Sequence, residues 1–135
     1  MSDFVDLLTP SQDAVIAKLK AGVPPALGSV HQHVKQDTQP PFVMVGSIDA
    51  ANEGSKGAQA ENMTVELHFV TRGPSRAPLM ALMHAARACL EGATLEADGI
   101  AFQRPIYLGA TVSNVGADGV TYAGISTFEF IAEPA

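Results

Sequence analysis

Near the N-terminus apolar residues recur at helical spacing, Leu7 and Leu8 being followed by Ala14, Val15 and Leu19, which predicts one helix. Thr9-Pro10 offers it a cap and a first-turn proline. At Ala21-Gly22-Val23-Pro24-Pro25 the glycine reads as a C-terminal stop, and the paired prolines forbid further helical hydrogen bonding. A strand reads from Ser29 to Val34. After Thr38-Gln39-Pro40-Pro41, the run Phe42-Val43-Met44-Val45-Gly46 is continuously apolar, the pattern of a central strand covered on both faces. Residues Asp49 to Ala60 are small and polar without apolar period, which predicts a long mobile loop between two strands.

From Asn62 to Thr71 the pattern switches to strict alternation, with Met63, Val65, Leu67 and Phe69 on one face and Thr64, Glu66 and His68 on the other. A second helix is expected from Ser75 to Leu90, with Pro78 in its first turn, an apolar stripe of Leu79, Leu82, Met83, Ala86, Cys89 and Leu90, and Gly92 beyond its end. The last third predicts strands alone: Ile100 to Leu108, Thr111 to Val115, and Val120 to Ile131 after the hairpin signal Asp118-Gly119. The order is α-β-β-β-α-β-β-β. Strands linked by hairpin-like turns around two helices indicate an α+β fold, a mostly antiparallel sheet with both helices packed on one face, built as a single domain over residues 1–135.

Composition narrows the function. The 135 residues carry eight Lys+Arg against fourteen Asp+Glu, a formal charge of −6, so no basic stripe exists to grip nucleic acid or anionic membrane. No apolar run approaches the ~20 residues needed to cross a bilayer, and Met1-Ser2-Asp3-Phe4 has no basic leader. A soluble protein made inside the cell is expected. Only 16% of residues are charged, below the roughly 25% usual for soluble domains, which leaves part of the surface suited to a partner. The one cysteine, Cys89, excludes an internal disulfide or a multi-cysteine zinc site and reads as a small core residue.

Candidate chemistry is sparse. His31 and His33 lie two apart on a strand and so share a face, and His68 on another strand offers a third corner for a metal; exposed strand positions explain all three more cheaply. Glu66 and Glu129, both on strands, suggest an acid/base pair only if the sheet sets them face to face. No nucleophile elbow and no Walker-type phosphate loop occur. Met80, His84, Arg87 and Glu91 form a mixed stripe opposite the apolar one on the second helix. That stripe reads either as a solvated face or as a subunit interface, where Met and Arg are favoured. Arg72 and Arg76 flank Gly73-Pro74 as a basic turn suited to an acidic partner or a helix end.

The order of parts resembles the phage tail completion family, also described as tail terminator or tail-to-head joining proteins of long-tailed phages and related gene transfer particles. The resemblance rests on an N-terminal helix, Pro40-Pro-Phe-Val-Met-Val-Gly46, a long loop, Met63-Thr-Val-Glu-Leu-His-Phe-Val-Thr-Arg72, the helix from Arg76 to Leu90, and the closing strand Tyr122-Ala-Gly-Ile-Ser-Thr-Phe-Glu-Phe-Ile131. It runs nearly end to end on apolar patterning. It implies a structural virion protein without catalytic residues, metal or cofactor: six copies form a ring at the head-proximal end of the tail tube, end its polymerisation and meet the head connector. The implied partners are further copies of the chain, the tail tube protein and the connector or stopper protein, with DNA passing through the lumen unbound and no membrane involved. Assembly would take place in the host cytoplasm. On this resemblance the loop residues Asn52, Glu53, Ser55, Lys56 and Gln59 are expected to meet the tube or connector, ordering as they dock. Met80, His84, Arg87, Arg72 and Arg76 are expected at the subunit interface. The alternatives are another head-tail connector or minor tail protein, a cellular adaptor domain, and a small metal-dependent enzyme built on the histidines.

Overall fold

The computed structural model describes residues 4–32, 35 and 38–135. Helix α1 spans Leu8–Gly22, and strands β1 (Ser29–His31), β2 (Phe42–Asn52) and β3 (Glu61–Arg72) follow; then come α2 (Ala77–Leu90), β4 (Ile100–Phe102), β5 (Ile106–Val112) and β6 (Thr121–Pro134). The six strands form a curled sheet in the order β1-β2-β3-β6-β4, with β5 also on β6. Among the described residues only β1 and β2 run parallel, and the other pairings are antiparallel. This is the α+β architecture that the hydrophobic pattern predicts, element for element.

Alternation along β3 and β6 places the core. Met63, Val65, Leu67 and Phe69 are at most 1% exposed, and their register partners Phe130, Phe128, Ser126 and Gly124 are buried with them. Both helices lie on this face and close it with Val15 and Leu19 from α1 and Leu79, Leu82, Ala86 and Leu90 from α2. Among the described residues no helix lies over the opposite face. Its β3 residues, Thr64, Glu66, His68 and Val70, are half-buried by their cross-strand neighbours.

Several boundaries differ from expectation for identifiable reasons. Helix α1 starts one residue before Thr9, and its cap is the Asp6 carboxylate, which accepts from the Leu8 and Thr9 amides at 3.0 and 3.2 Å. The Thr9 hydroxyl first, then these amides, hold the Asp6 carboxyl below its ordinary range. Gly22 is the last helical residue and has no left-handed backbone, so Pro24 and Pro25 end the helix. The glycine is required by packing: a Cβ there would overlap the Cβ of Cys89 and lie 3.2 Å from its Sγ, so α1 and α2 touch where Gly22 has no side chain. Among the described residues, strand β2 is flanked on both sides from Phe42 to Met44; β3 and β6 are the central pair. Finally, the interruption in the last third falls at Gln103–Pro105 instead of Gly109-Ala110. Pro105 has no amide to give the ladder, whereas Gly109 is absorbed as a register shift after Tyr107.

Candidate functional site

The segment expected to be a mobile loop is a hairpin arm. Pairing of β2 with β3 continues past a register shift between Val45 and Ile48 through Asp49↔Thr64 to Asn52↔Glu61. Beyond it the Glu53 amide donates to the Ala60 carbonyl (2.9 Å) and the Ala58 amide to the Ser55 carbonyl (3.0 Å), with Gly57 at φ 82° in the tip. A hairpin exposed on both faces needs no apolar period, because its cohesion comes from the main-chain ladder; a hydropathy pattern therefore cannot show it.

All five candidate loop residues lie on this arm, in different situations. The amide of Gln59 holds the N-terminal segment at two points, accepting from the Val5 amide and donating to the Val5 carbonyl, each at 2.9 Å. Asn52 turns its Oδ1 to the Gly54 amide at 3.0 Å. Glu53, Ser55 and Lys56 present exposed side chains at the tip, beside a groove that Phe4, Val5 and Glu133 also line.

The candidate interface residues do not join them. Along β3 the eleven steps from Glu61 at the arm to Arg72 span roughly 35 Å at ordinary strand rise, so the arm and the Arg72–Arg76 turn occupy opposite ends of the sheet. Arg72 Nε donates to Thr121 Oγ1 at 3.4 Å and Arg76 to Asn114 Oδ1 at 2.7 Å; both brace the β5–β6 hairpin. In the turn of that hairpin the Asp118 carboxylate accepts from the Thr121 hydroxyl and from the Val120 and Thr121 amides. The Thr121 hydroxyl is the chief cause of an Asp118 pKa lowered to about 2. On α2, Met80 is 51% exposed and His84 is exposed. Arg87 is engaged within the chain: its guanidinium lies 3.8 Å over the Tyr107 ring, and its Nε donates to Glu91 at 3.1 Å.

The uncovered sheet face gathers carboxylates that sequence spacing does not connect. Asp49, Thr64, Glu129 and Ile106 form one row across β2, β3, β6 and β5. Glu66 lies in the next row, opposite Thr127, so Glu66 and Glu129 are diagonal and not face to face. Each is separately engaged, Glu129 by Asn62 at 3.4 Å and Glu66 by His68 at 2.6 Å. The His68 ring reaches Glu66 by lying over Gly46, where a Cβ would overlap it. Between these rows and Ile125 no lysine or arginine faces outward on the four strands.

Catalytic arrangements find no geometry. His31 and His68 are both register partners of Met44, two strand spacings apart, and the His68 ring is engaged by Glu66 at 2.6 Å. His31 is hydrogen-bonded to Ser29 at 2.8 Å, and His33 lies outside the described residues. Among the described residues no group of three or more His, Cys, Asp or Glu is placed to hold a metal. The Cys89 thiol is half-buried and donates to the Ala86 carbonyl at 3.2 Å; burial raises its pKa and so disfavours the reactive thiolate. Among the same residues no helix is long and apolar enough to cross a membrane.

The family model described as tail completion protein gp17 matches residues 13–133. The chain belongs to the tail completion protein family. Among solved structures, a chain from the virion of a native gene transfer agent particle is similar to it, with a TM-score of 0.82 and 19% identity, over 96% of this chain and 99% of that one. At that identity the likeness establishes the fold. No curated protein matches. The tail completion chain is accordingly a structural phage tail protein.

Proposed function

We propose that this tail completion protein assembles as a hexameric ring on the head-proximal end of a phage or gene transfer particle tail tube. The ring ends tube polymerisation and joins the tail to the head connector. The observation that carries the reading is the family match over residues 13–133. Two physical features support it. The sheet face with Asp49, Glu66 and Glu129 outward, no lysine or arginine among them and His68 bonded to Glu66, suits a channel wall for DNA, since a lumen of like charge does not hold a moving polyanion. The arm, already paired to its tip, docks on the tube or connector as a preformed finger and loses little conformational entropy in doing so. Glu53, Ser55 and Lys56 make that contact, while Gln59 sets the arm against the N-terminal segment. Met80 and His84 on α2 lie toward neighbouring subunits.

Electron microscopy of particles assembled without this chain tests the role. Overlong tails, or heads and tails that fail to join, are the expected result. Complete particles with tails of normal length would refute it.

A further inference from the structure

The sheet has two unpaired edges whose make differs from that of a protected edge. Strand β5 is bonded to β6 on one side only. Its residues Ile106–Val112 include no charge and no proline, and Ile106 and Leu108 are 56% and 50% exposed. Exposed edges are ordinarily blunted by a lysine, a proline or a covering segment; β5 has only its bulge after Tyr107. At the far side, among the described residues, β1 pairs with β2 as far as Met44. Past the register shift at Gly46 and Ser47, Ile48 to Asn52 of β2 pair with β3 alone among the described residues, and the stretch 46–52 is exposed apart from a half-buried Ile48. The two free stretches have matching length.

Strand direction adds an independent constraint. β2, β3, β6 and β5 run alternately in opposite senses, so after three reversals β5 runs opposite to β2. Copies related by rotation about an axis roughly along the strands therefore bring β5 of one against β2 of the next in opposite senses. We infer that β5 of each copy pairs antiparallel with residues 46–52 of β2 in a second copy of this chain, so that one sheet runs on from subunit to subunit. In this sense Arg104, just before β5, comes beside Glu53, just past β2; both are exposed, and their charges are opposite. A parallel pairing would set Arg104 beside Gly46 instead. Because the Ser113 amide points to Ala123 on β6, alternation turns the Ala110 and Val112 amides outward, toward the second copy. Such a contact joins two different patches and closes by rotation, and closure removes both edges at once.

The inference rests on the ring reading and extends it by naming the surfaces that meet. Native mass spectrometry of the full chain, free and released from particles, measures the ring. Ala110→Pro removes an outward amide where an edge strand tolerates proline, and it is expected to lower the ring fraction at least tenfold with unchanged circular dichroism. Arg104→Glu and Glu53→Arg are each expected to weaken the ring severalfold, and the double reversal to restore it to within about threefold, as a direct charge pair requires. Rings that persist in the proline variant and in both single reversals would overturn the edge pairing while leaving the ring itself standing. An unaltered chain that forms no ring, in solution or in particles, would overturn the ring reading and the pairing together.

Discussion

Gly22→Ala sets two physical effects against each other, and the structure decides the sign. Helix propensity alone favours alanine over glycine by up to ~1 kcal/mol, and less at the last helical residue. Against this, the added Cβ would overlap the Cβ of Cys89, an atom fixed to the α2 backbone, and lie 3.2 Å from its Sγ. The end of α1 has little room to retreat, because Val23 is 4% exposed and its amide is bonded to the Leu19 carbonyl at 2.8 Å. Overpacking of this kind costs ~1–3 kcal/mol, so the net effect is a loss of ~1–2 kcal/mol. For a chain of this size that lowers the melting temperature by roughly 3–8 °C. Thermal unfolding of Gly22→Ala in the natural chain and in a Cys89→Gly background measures it: the penalty should vanish in the second, where the opposing Cβ is gone. A variant as stable as the natural chain, or a penalty equal in both backgrounds, would refute the close-contact argument.

Replacing residues 53–60 by an Asn-Gly turn between Asn52 and Glu61, which are already register partners, should leave the fold intact because a two-residue turn suits such a pair; circular dichroism and melting should be near those of the full chain, with tail joining lost in a complementation assay. Arg87→Ala should destabilise the folded chain by about 1 kcal/mol through loss of the Tyr107 and Glu91 contacts, a figure kept low because the side chain is 46% exposed, and it should leave the oligomer unchanged; a dissociated ring with normal stability would restore Arg87 to the interface. Asp118 has a folded pKa of about 2, depressed from 3.8, so its contribution is present above pH 3.8 and fades as pH falls toward 2. The stability difference between the natural chain and Asp118→Asn should follow that course, and an NMR titration of the Asp118 carboxyl with a midpoint near 3.8 would contradict it.

These expectations are drawn mostly from contacts that hold the frame, and the frame sets the functional surfaces. The Gln59–Val5 clasp fixes where the arm projects, the Arg72–Thr121 and Arg76–Asn114 bonds fix the β5–β6 hairpin, and the Arg87–Tyr107 contact ties α2 to the edge strand. Each is a polar side chain on the surface whose work is internal.

The period of the hydrophobic pattern was enough for the element order, the α+β class and the buried face of β3, because burial on one side of a strand or helix imprints a spacing of two or of 3.6 on the residues themselves. Pro24 and Pro25 were legible for the same local reason, a missing amide acting at its own position, whereas Pro105 lay unread inside the strand expected from Ile100 to Leu108. Tertiary structure alone decided what depends on a second segment. The arm's pairing leaves no hydropathy trace because both of its faces meet water; Gly22 reads as a stop until Cys89 is seen against it; and Asp49, Glu66 and Glu129 become one surface only when the register β2–β3–β6 is set. Spacing along one strand says which face a residue takes, whereas neighbourhood across strands depends on register and strand order, which a single chain's pattern does not encode.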